Sequence, residues 1–210
     1  LNFDLDITPE ASMQVLMDAK SGDYINLYGN GRILANYYNK GKFQMYGTYR
    51  VDHGLYKLSL QDVIRKDFTF RRDGTITFGG APGKAALQLS AVYTVPNVSL
   101  EDLSSSSLGL SNTRVDCIMN IGGEAFTPVV SFDFDLPNAN EDEKRMVRSM
   151  LSTEEEKNMQ VIYLLGIGRF YNQNAQFQNA GSQSGTAMNS LISSTLSSQF
   201  NQFLSNAMGS

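Results

Sequence analysis

From His53 to Val95 apolar and polar residues alternate through one short run after another. Tyr56, Leu58 and Leu60 alternate with Lys57, Ser59 and Gln61. Phe68 and Phe70 alternate with Thr69 and Arg71, and Ile76 and Phe78 follow the turn signal Asp73-Gly74. Leu87, Leu89, Ala91, Tyr93 and Val95 follow Pro82-Gly83. A period of two predicts strands with one dry and one wet face. The pattern predicts strands over residues 2–8, 12–18, 24–29, 31–38, 42–51, 55–61, 68–72, 75–79, 84–95, 113–121 and 128–136. Asn30-Gly31, Asn39-Lys40-Gly41, Asp52-His53-Gly54 and Asp73-Gly74 lie between them and read as turns. Short connections require antiparallel neighbours. Residues 96–112 read as a serine-rich loop.

The alternation phase assigns an inner, dry set. It comprises Ile25, Leu27, Met45, Tyr49, Tyr56, Leu58, Leu60, Phe68, Phe70, Ile76, Phe78, Leu87, Leu89, Val115, Met119, Ile121, Val130, Phe132 and Phe134. A slip of one residue in any strand would turn the wrong set inward.

The character changes after residue 136. Asn140-Glu141-Asp142-Glu143 has the form of a capping box, and Met146, Val147, Met150 and Leu151 fall on one face of a short helix. Ser152-Thr153-Glu154-Glu155-Glu156 opens a second helix whose apolar part is Met159 to Leu165. Acids at both starts suit the helix dipole. No charged residue follows Phe170. The expected division is a β domain over 1–136, two short helices over 137–169, a polar linker over 170–185 and an uncharged amphipathic helix over 186–208. On that last helix Leu191, Leu196, Phe200, Phe203 and Leu204 recur at helical spacing, a face suited to docking on protein.

Composition narrows the function classes. The 210 residues carry a formal charge of −4, which argues against nucleic acid as the partner. The lone Cys117 sits among inward positions and reads as a small core residue. The chain opens at Leu1 inside a strand pattern, so it is expected to be part of something longer. It has no signal peptide and no run able to span a bilayer, so any membrane anchor is expected outside this piece.

Chemistry-bearing constellations are sparse. His53, the one histidine, has no neighbouring nucleophile and cannot by itself form a zinc site. Asp4 with Asp6, and Asp133 with Asp135, follow from alternation on a wet face. Gly166-Ile167-Gly168 follows a helix and lacks a third glycine, so it is no dinucleotide fingerprint. Asn97-Val98-Ser99 matches a glycosylation sequon, a pattern common by chance. No catalytic residue, metal site or cofactor is expected. What remains is the dry face, which either packs shut, as in most antiparallel domains, or lines a groove.

The ordered blocks GLYKLSL, DFTFRRDGTITFGG, ALQLSAVYTV, VDCIMNIGG, PVVSFDFDLPN and EDEKRMVRSML resemble the C-terminal domain of the TamB family, over roughly residues 20–170. IYLLGIGRFYNQ and the uncharged tail resemble members from Bacteroidota. The resemblance implies a mainly β fold, a curled antiparallel sheet shaped as a groove, with two short helices and a C-terminal amphipathic helix. It implies a non-enzymatic periplasmic conduit that carries phospholipid toward the outer membrane, in a protein anchored in the inner membrane. The partner it implies is an Omp85-type outer-membrane protein, TamA or a relative. An assembly scaffold for outer-membrane proteins, working by strand addition and helix docking, is the other reading that follows from it. A carbohydrate-binding sandwich would instead need an aromatic platform, for which Tyr37, Tyr38 and Tyr46 are the candidates.

Overall fold

A computed structural model describes residues 1–18, 23–38, 40–60, 64–104 and 110–172. They form β1 (Asn2–Ile7), β2 (Ser12–Asp18), β3 (Asp23–Tyr37), β4 (Phe43–Leu60), β5 (Ile64–Phe70), β6 (Thr75–Gly80), β7 (Ala86–Ser99), β8 (Asn112–Glu124) and β9 (Thr127–Asp135). Two helices follow, α1 (Glu141–Met150) and α2 (Glu154–Ile167). All nine strands belong to one antiparallel sheet, which curls without closing into a barrel.

The long strands each serve two neighbours. β1 and β2 lie end to end along β3, and β5 and β6 lie end to end along β4. β7 then joins β5 at Thr69↔Val92 and Phe70↔Ala91, and β6 at Thr75↔Gln88 through Thr77↔Ala86. β8 and β9 complete the sheet as a meander.

Two expected turns prove to be strand interior. At Asn30-Gly31 the chain runs straight through β3. Here the glycines answer to close packing: a Cβ on Gly29 would lie 2.2 Å from the Arg50 carbonyl oxygen, and the Tyr49 ring crosses the same spot. Asp52-His53-Gly54 is a β-bulge. Tyr28 pairs with His53 and Gly29 with Val51, leaving Asp52 as the extra residue. The bulge reverses the phase of β4, so Met45 and Tyr49 before it share a face with Tyr56 and Leu58 after it. β7 also continues past Val95 to Ser99 through a second irregularity, which buries Val98 and then Leu100.

Both helices start as their sequences predict. The Asn140 side chain accepts from the Glu143 N–H at 2.9 Å, and Glu143 accepts from the Asn140 N–H at 3.0 Å. Thr153 and Glu156 form the same box on α2, where Gly168 in the left-handed region ends the helix. Val161, Ile162, Tyr163, Leu164 and Leu165 are all buried. At about 100° per residue, five consecutive positions cover the whole circumference. α2 is therefore a core helix, enclosed on every side over this stretch. It packs against β9 and β5, and so spans the inner face of the curl.

Candidate functional site

The inner face is built in rows fixed by register. Phe3, Ala35, Met45 and Gly80 form one row, and Leu5, Ile33, Gly47 and Phe78 the next. Tyr49, Ile76 and Leu87 follow, and on the far half Leu89, Ile121 and Val130, then Ala91, Met119 and Phe132, then Tyr93, Cys117 and Phe134. Gly47 sits at φ 128°, and a Cβ there would meet the Arg32 carbonyl at 2.2 Å. Only glycine lets β3 and β4 approach this closely.

Of the residues assigned inward from sequence, Ile25, Leu27, Tyr49, Tyr56, Leu58, Phe68, Phe70, Ile76, Leu89, Val115, Met119, Ile121 and Phe132 are buried. Phe78, Leu87, Val130 and Phe134 are half-buried against them, and Met45 is half-buried in its row. The Leu60 side chain and the five docking candidates Leu191, Leu196, Phe200, Phe203 and Leu204 lie outside the described residues. The sequence reading did not assign Ile33 and Ala35, because Leu34 beside them blurs the alternation. Nor did it place α2 in the curl, although the uninterrupted run Val161 to Leu165 carries that signal.

The two ends of the inner face differ. Between β5 and β9 it is closed by α2, with Phe134 edge-on to Phe170 at 6.1 Å. The segment after α2 is tied down on both sides. Gln160 is buried, donates to the Tyr171 carbonyl at 3.3 Å and accepts from its N–H at 2.7 Å. Arg169 grips Asp102 through two hydrogen bonds of 3.1 and 3.2 Å. At β1 the rows emerge into solvent: Phe3 is 46% and Leu5 43% exposed, while Ala35 and Ile33 beside them are buried. No strand pairs with the outer edge of β1 among the described residues.

A second concavity lies on the outer face, where β5 and β7 splay apart on the Asp67 side of the Thr69↔Val92 pair. This cleft of about 420 Å³ is lined by Asp67, Thr69, Arg71, Thr94, Arg114 and Asp116, with Phe70, Val92 and Tyr93 as its apolar part. Asp116 accepts from Arg114 Nε and Nη2 at 2.9 and 3.0 Å and from Thr94 Oγ1 at 2.7 Å. Burial pushes its carboxyl up, but the Arg114 and Thr94 hydrogen bonds outweigh this and hold it below the usual carboxylate range. The lining holds two cations and two anions.

The remaining polar candidates are accounted for by local contacts. His53 stacks on Tyr28 with ring centroids 4.5 Å apart and meets Asp52 at 2.8 Å on the wet face. Asp4 is paired with Arg32. Cys117 is buried, and burial pushes its thiol far up. Among the described residues no group of His, Cys, Asp and Glu could hold a metal. Tyr37, paired with Phe43, belongs to the inner phase and Tyr46, paired with Leu34, to the outer, so they make no common platform.

The family model of the TamB C-terminal domain matches residues 1–210, the whole chain. No curated protein matches it significantly.

Proposed function

This chain belongs to the TamB C-terminal domain family, and from that premise we propose that it is the end piece of a phospholipid conduit in the cell envelope. The family serves the translocation and assembly module, is generally non-enzymatic, spans the periplasm and works with an Omp85-type partner, TamA. In this reading the chain acts in the periplasm next to such a partner, as part of a protein anchored in the inner membrane. Acyl chains enter along the inner rows from the β1 side and stop at α2. The observation that carries the reading is the apolar row that starts exposed at Phe3 and Leu5 and continues without a polar break into Ala35 and Ile33. Each CH₂ removed from water contributes about 0.8 kcal/mol, so such a surface holds lipid without charge or catalyst.

The test is lipid mass spectrometry on protein purified from bacteria, wild type against a Phe3→Arg, Leu5→Arg variant. Both positions are exposed, so the variant keeps the helix-filled core. Phospholipid on the wild type that is lost from the folded variant supports the conduit. No phospholipid on either protein refutes it.

One observation favours a second reading, assembly by strand addition. The outer edge of β1, unpaired among the described residues, offers backbone donors and acceptors to a partner strand. Photocrosslinking from Asp4 in cells to an Omp85-type protein is the expected result, and its absence counts against that role.

A further inference from the structure

The cleft between β5 and β7 holds charge that the fold leaves unused. Arg114 is committed, since its Nε and Nη2 both donate to Asp116, which also accepts from Thr94 Oγ1. Asp116 is buried, so this group belongs to the floor. Arg71 and Asp67 are exposed on the rim, four residues apart on the outer face of β5. Among the described residues neither side chain makes a hydrogen bond or an ion pair. Arg32, Arg50, Arg72, Arg145 and Arg169, by contrast, are each paired with an aspartate. Arg71 acts on Asp116 through its charge alone.

The main chain is also unmet here. Arg71 N–H donates to the Ser90 carbonyl and Thr69 pairs with Val92, so alternate residues of β5 turn their N–H and C=O toward β7. The same register sets Asp67 opposite Thr94, where the pairing has already stopped. The N–H and C=O of both residues open into the cleft instead of closing a ladder. Strand edges of this kind accept another peptide main chain.

The uncommitted groups are thus one cation, one anion and two main-chain donor–acceptor sets, around a floor that includes Val92. A plain anion would meet Arg71 but also Asp67, and a plain cation the reverse. A neutral amide would leave both charges unmet. A carboxylate and an ammonium joined by peptide groups meet all of them. The Cα atoms of residues four apart on a strand lie about 13 Å from one another. An extended tripeptide spans about 10 Å, a gap that two side chains close.

We infer that this cleft binds a short zwitterionic peptide, with its carboxylate on Arg71, its ammonium on Asp67 and a peptide group on the main chain of Thr94. The site lies on the outer face and stands whether or not the inner rows carry lipid.

The experiment is isothermal titration calorimetry of the 210-residue chain with trialanine. Saturable binding appears below about 10 mM. Acetylating the amino end or amidating the carboxyl end weakens it about tenfold or more, since each cap removes one charge-assisted pair. Arg71→Gln binds trialanine and its amide alike, within about twofold, and Asp67→Asn does the same for trialanine and its acetyl form. Arg148→Gln, at an exposed position on α1, binds as the wild type does. Glycerophosphoethanolamine, a zwitterion without a peptide bond, binds about tenfold or more weakly than trialanine. Circular dichroism verifies the fold of each variant. No saturable binding of trialanine to the wild type overturns the proposal. So do caps that change nothing, or a loss in Arg148→Gln equal to that in Arg71→Gln. Glycerophosphoethanolamine binding as tightly as trialanine overturns it too, and would assign the cleft to a lipid headgroup.

Discussion

Truncating Leu164 to alanine tests whether α2 fills the curl in solution. Leu164 is 1% exposed, and Ile162, two positions and about 200° away, is fully buried. The substitution removes the equivalent of about three CH₂ groups, worth about 2.4 kcal/mol by transfer, and the cavity left behind adds to this. The expected loss is about 3–4 kcal/mol, within the range of about 2–5 kcal/mol for buried leucine. Alanine is the better helix former, so the loss reports packing rather than helix propensity. For a domain of this size about 2–4 °C of melting temperature goes with each kcal/mol, which predicts a fall of about 6–16 °C. Urea unfolding followed by far-ultraviolet circular dichroism measures it, with Ile167→Ala on the same helix as control. Ile167 is 50% exposed and should cost less than about 1 kcal/mol. A Leu164→Ala loss below about 1 kcal/mol would refute the enclosure of α2 and leave the inner face between β5 and β9 open.

Other perturbations read other parts of the molecule. The Tyr49 hydroxyl is buried with no hydrogen-bond partner among the described residues, so Tyr49→Phe should raise stability by about 1 kcal/mol in the same urea assay. A loss would show that the hydroxyl is satisfied. Asp116 has a folded-state pKa below its unfolded value, so its contribution is present above the unfolded pKa and fades as pH falls through the folded one. Asp116→Asn should therefore destabilise at neutral pH and flatten the decline in melting temperature below about pH 4, and an unchanged acid limb would refute the assignment. Asn140→Ala removes the capping box of α1 and should cost about 0.5–2 kcal/mol, with Asn140→Asp expected to restore most of it.

Legibility in the sequence followed how local each signal was. Alternation found most of the inner residues because a period of two depends only on a strand and its pleat. Turn dipeptides were less reliable. Asn30-Gly31 and Asp52-His53-Gly54 have hairpin composition, yet Gly31 and Gly54 serve close strand packing and Asp52 serves a bulge. The inner set survived that misreading because a bulge resets phase much as a turn does: Tyr49 and Tyr56, of opposite parity, still point the same way. The capping boxes at Asn140 and Thr153 were readable because their partners stand three residues away. The destination of α2 was not, since the helix packs against β5, far back in the chain, as well as β9. Nor was the cleft between β5 and β7, which exists only because two strands diverge. Its Arg114–Asp116 pair looks in sequence like ordinary wet-face alternation.

That divergence also governs how the molecule comes apart. Among the described residues, strand pairing between the half holding β1 to β6 and the half holding β7 to β9 is confined to the two pairs at Thr69–Phe70 and the three at Thr75–Thr77, with the Arg71 N–H donating to the Ser90 carbonyl between them. A seam this short would let each half open on its own. α2 belongs by chain order to the second half, yet it touches β5 in the first. It acts as a clip, turning two separable units into one cooperative unit. Amide exchange in β3 and in β8 should then report a single opening free energy while α2 is seated. Loosening the helix should split that value in two, with the half bearing the long β3–β4 hairpin exchanging on its own clock.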